Sequence, residues 1–271
     1  MSNDPFTFDF HALDDPDEHQ RWSTWRQVQP LCRGPKPRPS WVVTDQGAID
    51  SELGILKTGK EADVFLLQRA TPGTDGVVMA AKRYRDADHR SFRRASAYTE
   101  GRRTRRTRDT RALAKKSAYG KQVAAGQWAF AEWDSLTRLW NWGLPVPYPV
   151  QIDGAEILME LIVDDTGNPA PRLASLSHGS SDLPLAFEQV REFIIKLAGH
   201  GVVHGDLSAY NMLISDRITV IDLPQTIDLV ANPQGTDFLL RDCVNVCEWF
   251  TKKGLACDAD ELFGEALASA W

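Results

Sequence analysis

Asp206, Asn211 and Asp222 lie within the run V-V-H-G-D-L-S-A-Y-N-M-L-I-S-D-R-I-T-V-I-D-L-P-Q, which occupies 202–225. An apolar strand end, Val202-Val203, delivers His204-Gly205-Asp206. Asn211 follows five residues later, and a short hairpin turning at Ser215-Asp216 leads to Asp222. Three oxygen-bearing side chains beside a hairpin suit phosphoryl transfer from ATP. One Asp takes or orients the attacking hydroxyl, while an Asn and a second Asp hold Mg2+ against the phosphates. That assigns Asp206 to the first task and Asn211 and Asp222 to the metal, with Mn2+ as an alternative ion. Taken singly, H-G-D and I-D-L are common turn residues. The combination H-x-D-L-x-x-x-N with an apolar-flanked Asp at hairpin distance is much rarer.

A triphosphate also needs cations. Lys82 ends the apolar strand V-V-M-A-A-K-R-Y, the setting from which a Lys reaches α- and β-phosphates. Such a Lys needs a carboxylate to place it, and the helix expected over 126–142 offers Glu132, with Asp134 as a competitor on a different face. Upstream, I-L-K-T-G-K-E-A-D-V-F reads as strand, turn, strand, with Thr58, Gly59 and Lys60 at the bend, where backbone N–H groups and a Lys can cover phosphates. Without G-x-G-x-x-G this turn is a weak signal alone. In a two-lobed ATP enzyme the strand E-I-L-M-E-L-I (156–162) runs into the hinge, so the backbone around Glu160 and Ile162 faces the adenine edge. Met159 then sits behind the adenine, or serves as plain core.

The elements that must position these residues fit a chain of 271 residues: one large domain or two lobes with ample core. Hydrophobic residues make up 42% and charged residues 25%, ordinary values for a soluble globular protein, and no apolar run is long enough for a membrane span. The first residues lack a basic stretch followed by an apolar one, so a secretory signal is not expected and a cytoplasmic location is. Cys32, Cys243, Cys247 and Cys257 form no C-x-x-C pair, in keeping with a reducing compartment. Cys243 and Cys247, four apart in an expected helix, could share a face and bind metal but, without a nearby His or second pair, read as core thiols. Apolar stripes predict helices over 186–199 (Phe187, Val190, Ile194, Leu197, Ala198), 236–250 and 258–270. Residues 1–40, acidic and then proline-rich, are expected as a partly extended, mostly solvated arm with one packed aromatic patch, the alternative being that Trp22 and Trp25 dock as a short amphipathic helix.

A net charge of −6 argues against a protein that coats nucleic acid with its whole surface. Yet Arg102, Arg103, Arg105, Arg106, Arg108 and Arg111 put six arginines into ten residues without apolar periodicity. A solvated loop and a contact with a phosphate backbone, RNA being the natural one, are both consistent with it.

With these residues in hand, the chain resembles the RIO family of atypical protein kinases, nearest its type-one branch and compatible with a compact bacterial-type member. The resemblance spans about 49–250. It rests on T-G-K-E-A (58–62), Lys82, the basic insertion ahead of Glu132, I-L-M-E-L-I (157–162), H-G-D-L-S-A-Y-N-M-L (204–213), I-D-L-P-Q (221–225) and R-D-C-V-N-V (241–246). It implies an α+β, bilobal protein-kinase-like fold, the RIO domain. The N-lobe is an antiparallel sheet, and the truncated, mainly helical C-lobe lacks an activation loop and A-P-E segment. Lys82 with Glu132 then anchors the α/β-phosphates, Thr58, Gly59 and Lys60 lie over the triphosphate, Asp206 is catalytic, and Asn211 and Asp222 hold the metal. One departure is Lys57, where the type-one branch tends to have Ser.

The expected organisation is an arm over 1–40, an N-lobe over 41–162 with a basic insertion at about 85–122, and a C-lobe over 163–271. The expected function is that of a Mg-ATP-dependent serine/threonine protein kinase with autophosphorylation or ATPase activity, and the family is linked to ribosome maturation. Two alternatives stand beside it. One is an RNA- or ribosome-binding ATPase switch using an aspartyl-phosphate on Asp222; the other is a small-molecule phosphotransferase.

Overall fold

The computed structural model describes residues 16–85, 118–223 and 226–271. Its N-lobe is built on a six-stranded antiparallel sheet in the order β1-β2-β3-β4-β6-β5. The strands are β1 (Gln20–Trp22), β2 (Ile49–Thr58), β3 (Ala62–Ala70), β4 (Val77–Tyr84), β5 (Pro149–Asp153) and β6 (Glu156–Glu160). Helix α1 (Ala118–Asn141) joins the sheet between β4 and β5. In the C-lobe, α2 (Leu183–Gly199) leads to β7 (Val202–Val203), and the β8 (Met212–Ile214) and β9 (Ile218–Val220) hairpin follows. After β10 (Ile227–Asp228), which pairs with β7, come α3 (Gly235–Lys252) and α4 (Ala259–Ser269). Helix α4 packs against both α2 and α3. Among the described residues no helix is long and apolar enough to cross a membrane.

The period of two along the strands decides which residues reach the cleft. On β4, Ala80, Lys82 and Tyr84 alternate with Met79 and Ala81. Met79 and Ala81 join Leu67, Leu158, Val150 and Trp25 in a separate cluster on the outer face, whereas Ala80 and Tyr84 belong to the main core with Ile157 and Met159. Cross-strand register carries this alternation across the sheet: Val64 pairs with Lys82, and Lys82 with Ile157.

The outer face is covered by the segment that precedes β2. The alternative of a short Trp helix is corrected here: Trp22 lies in β1, which pairs with β2, and Trp25 is buried against the sheet in an aromatic patch with Trp41 and Val42 beside it. A helix would have placed Trp22 and Trp25 one above the other on a single face, whereas the strand lets β1 extend the sheet while Trp25 seals it. Below this cover Arg69 is wholly buried. Its Nε and Nη2 donate to the two Asp50 oxygens at 2.6 and 2.9 Å, and its Nη1 donates to Gln151 Oε1 at 2.9 Å. Gln151 in turn donates to Thr24 Oγ1, so one polar network ties β2, β3 and β5 to the covering segment.

In the C-lobe, the expected α2 stripe of Val190, Ile194, Leu197 and Ala198 is buried, and Phe187 is half-buried with its ring edge-on to Phe250 at 5.2 Å. The α4 N-terminus is capped by the Asp258 carboxylate, which accepts from the Asp260 and Glu261 N–H groups. Cys243 and Cys247 are buried, and burial pushes their thiols up to about 12 and about 11, so both behave as small apolar side chains.

Removing one partner of a buried ion pair leaves the other charge uncompensated, which typically costs about 3–5 kcal/mol. Asp50→Ala is therefore expected to lower the unfolding free energy by about that much in urea titrations. The double change Asp50→Leu with Arg69→Met, which removes both charges, should lose distinctly less. Equal losses in the two variants would show that the pair is not what matters at this point.

Candidate active site

Lys82 and Glu132 meet because each sits at a core position of its element. On α1, Ala125, Ala129, Glu132, Leu136 and Leu139 repeat at helical spacing and all are buried. Glu132 thus occupies an apolar stripe, while Asp134 points to solvent. Three donors satisfy its carboxylate. Lys82 Nζ lies 2.7 Å from Oε1, the Leu223 N–H donates to the same oxygen at 3.2 Å, and the Tyr84 hydroxyl donates to Oε2. Burial and the Glu132 charge together push the Tyr84 phenol well above its usual range, so it stays a donor.

Lys82 Nζ also lies 2.7 Å from Asp222 Oδ1. Burial disfavours the ammonium, but Glu132 and Asp222 outweigh it and hold Lys82 above the ordinary lysine range. For Asp222 burial likewise opposes the charge, and Lys82 overrides it, leaving the carboxyl below its usual range. Among the described residues Asp222 is the one non-glycine residue with a positive φ, 66°. Asp tolerates this left-handed region better than most residues, though at some cost in strain.

The β8/β9 hairpin brings Asn211 beside Asp222. Met212 pairs with Val220, and one step further out the Ile221 N–H donates to the Asn211 carbonyl at 2.8 Å. Asn211 Nδ2 donates to the Asp206 carbonyl at 3.0 Å, which leaves its Oδ1 as an acceptor. Asp206 itself is exposed. The loop that carries it is pinned from below by Asp242 on α3, whose two oxygens accept the Gly205 N–H at 2.7 Å and the Leu207 N–H at 2.9 Å. Arg241 donates to the Gly205 carbonyl. Gly205 turns with φ +86°, a conformation that favours glycine. His204 is buried and burial pushes its imidazole down to about 4, so it is neutral and its Nδ1 accepts the Asp206 N–H.

The turn over the cleft is braced at its base. The Gly59 N–H donates to the Ala62 carbonyl at 3.0 Å, and a Cβ at position 59 would stand 2.6 Å from that oxygen, so glycine is needed. Asp63 takes a two-pronged contact from Arg85 at 2.6 and 2.7 Å. Thr58 and Lys60 are exposed above it. At the other end of the cleft Met159 is buried in register with Ala80. The Glu160 carboxylate accepts the Tyr148 N–H, and the Ile162 carbonyl accepts from Ala170, so the Glu160 side chain is committed to the fold.

The structure thus brings together Lys82, Glu132 and Asp222, sets Asn211 and Asp206 side by side, and places the 58–60 turn at the end of strands on the same sheet. The arginine-rich stretch 102–111 lies outside the described residues. Sequence reasoning assigned no role to Tyr84 or Asp242. The signal for Asp242 was a carboxylate inside the apolar repeat of Leu239, Cys243, Val246 and Phe250, a position that demands buried partners.

The residues fit a nucleotide with Mg2+. Asn211 and Asp222 offer hard oxygen donors, and among the described residues no group of three or more His, Cys, Asp or Glu forms a metal cage. Two such oxygens suit an ion that takes its remaining ligands from phosphate and water. The small apolar cavity between α3 and α4, about 240 Å³ and lined by Cys247 and Cys257 among others, lies away from these groups.

Comparison with known proteins follows the same direction. A family model described as the RIO domain matches residues 66–262. The chain is 35% identical over 225 residues to the RIO-type serine/threonine-protein kinase Rio1 of Haloferax volcanii, covering 82% of this chain and 70% of that one. It is 30% identical over 213 residues to the protein of the same name from Methanocaldococcus jannaschii, covering 78% and 67%. Among solved structures, the Rio2 kinase from Chaetomium thermophilum superposes with a TM-score of 0.59 at 20% identity, covering 80% of this chain and 63% of that chain. Its ADP/Mg2+-phosphoaspartate complex gives 0.57 at 20% identity, with 80% and 65% covered. The chain thus spans a little under two thirds of these solved chains, and at this identity they show a shared fold.

Burial pushes the Asp242 carboxyl up to about 6, against the pull of its two N–H donors. A folded-state pKa above the usual 3.8 means that folding favours the protonated form. This contribution to stability is full below 3.8 and is lost as pH rises through about 6. Compared with Asp242→Asn, which does not titrate, the wild type should therefore lose stability between these values, read as urea midpoints at several pH values. A constant difference across the window would place the titration elsewhere.

Proposed function

The chain belongs to the RIO domain family, and from that membership together with the cleft geometry we propose that it is a Mg-ATP-dependent serine/threonine protein kinase of the RIO type. The observation that carries the proposal is the Lys82 ammonium held between buried Glu132 and half-exposed Asp222, with Asn211 and Asp206 alongside. In this reading 41–162 and 163–271 are the two lobes that close on the nucleotide, and 1–40 is an arm added to the first.

Each residue then has a task. Glu132 keeps Lys82 in place while Lys82 exchanges its contact with Asp222 for the α- and β-phosphate oxygens of ATP. The N–H groups of the Thr58-Gly59-Lys60 turn and the Lys60 ammonium lie over the triphosphate. Met159 and the backbone around Glu160 and Ile162 line the adenine end. Asn211 Oδ1 and Asp222 would hold Mg2+, which would supply neutralisation of the phosphate charge. Asp206, exposed on a loop fixed by Asp242, orients the acceptor hydroxyl and takes its proton as the new O–P bond forms and the bond to the ADP oxygen breaks.

A second reading is favoured by Asp222 itself. Its carboxylate is 49% exposed in the same cleft, and the solved Rio2 relative is a phosphoaspartate complex with ADP and Mg2+. Asp222 would then accept the phosphoryl group and the protein would act as an ATPase switch. Six arginines in 102–111 support contact with ribosomal RNA or a pre-ribosomal particle in either reading, on composition alone.

One experiment separates the readings. Purified protein is incubated with γ-labelled ATP and Mg2+, and the labelled chain is treated with hydroxylamine and with acid. Label stable to both marks phosphoserine or phosphothreonine, and label lost to both marks an acyl phosphate. Asp206→Ala should reduce turnover by about 100-fold or more while ATP still binds. Unchanged turnover in that variant would remove Asp206 from the mechanism.

A further inference from the structure

Resting on the ATP-dependent reading above, we propose that Lys57 and Arg172, one from each lobe, clamp the terminal phosphate of the triphosphate and so set a preference for ATP over ADP.

The placement of Lys57 follows from strand register. Lys57 on β2 pairs with Val64 on β3, and Val64 pairs with Lys82 on β4. Directly paired residues share a face of the sheet, so Lys57 and Lys82 both project to the cleft side. They lie at different depths: Lys82 is nearly enclosed, whereas Lys57 is exposed just before the 58–60 turn.

Arg172 approaches from the other side. Its backbone bridges to Leu213, and its Nη1 donates to the Tyr210 carbonyl, which fixes it against the turn that ends in Asn211. It therefore borders the loop on which Asp206 would meet the acceptor. Among the described residues neither Lys57 nor Arg172 has a carboxylate partner within ion-pair distance. Both nonetheless act in the field of the site. Burial lowers the Lys57 pKa first, the Arg172 charge lowers it next, Asp222 opposes them and Lys82 adds to the lowering.

Two cations that repel each other across a cleft are relieved by an anion between them. The α- and β-phosphates are claimed by Lys82, deeper in. The outer pair, beside the transfer loop, is left for the terminal phosphate, and the Arg172 guanidinium still has N–H groups to offer it. A triphosphate reaches this position and a diphosphate stops short of it.

The test is equilibrium binding of ATP, ADP and adenosine, each with Mg2+, to the wild type, Lys57→Ser, Lys57→Arg and Arg172→Gln. Lys57→Ser should weaken ATP by about tenfold, ADP much less and adenosine not at all. Lys57→Arg should recover most of the loss. The double variant with Arg172→Gln should lose less than the two single losses combined, because both act on one phosphate. Thermal midpoints recorded alongside check that Arg172→Gln has not loosened the 210–213 turn, and the exposed Lys57 position decides the outcome by itself. A Lys57→Ser protein with the wild-type ATP-to-ADP ratio, or one weakened equally for all three ligands, overturns the clamp and leaves the kinase reading standing. A wild type that binds no nucleotide overturns both.

Discussion

The structure turns on one buried carboxylate. Glu132 has lost nearly all contact with water, and an ionised group in such a place is tolerated only if its oxygens are fully engaged. Its three donors come from two elements: Lys82 and Tyr84 on β4, and the Leu223 N–H just past Asp222. A helix, the sheet and a segment of the C-lobe must therefore be present together before Glu132 can be buried at acceptable cost. This makes the lobe-to-lobe arrangement a condition of the charge balance. Removing Tyr84 would leave Oε2 unpaired in the interior, and removing Lys82 would leave the buried charge uncompensated.

Asp242 plays a parallel part beneath the loop that carries Asp206, but with a different balance. Its partners are backbone N–H groups, so burial wins and the carboxyl is pushed up to about 6. The two carboxylates have different neighbours. Lys82, on the sheet against which the Glu132 helix packs, neutralises the Glu132 charge, while the N–H donors of Asp242 fix the geometry of the loop. Asp206 lies exposed on that loop.

Much of this was legible in the amino-acid sequence, for reasons that differ by element. The H-G-D…N…D spacing could be read because Asp206, Asn211 and Asp222 are linked by local structure: a short hairpin brings Asn211 and Asp222 side by side with few residues between them. Helix stripes such as Val190, Ile194 and Leu197 were readable from their period. The pairing of Lys82 with Glu132, 50 residues apart, was readable from the order strand-Lys, loop, helix-Glu, with Asp134 on the same helix as a competitor until packing chose the buried position. A packed aromatic patch in the arm was readable, but its strand form and its place were not, because the docking of Trp25 depends on the outer face of a sheet formed by later strands. Asp242 and Tyr84 went unassigned for the same reason: their partners lie in other elements.

The two contacts of Lys82 differ in a way that bears on function. Its bond to Glu132 lies in a dry environment, where breaking it would strand a buried charge. Its bond to Asp222 reaches a carboxylate that is half exposed, where water and ions can substitute for it at small cost. A polyanion binding as proposed would therefore displace the second contact and leave the first, so that Lys82 would stay aimed while Asp222 is released with its charge intact. Without a ligand, Lys82 and Asp222 neutralise each other. In the proposed reading a bound nucleotide would draw the same two groups onto opposite partners, phosphate for the ammonium and a cation for the carboxylate, with no change needed in the buried half of the network.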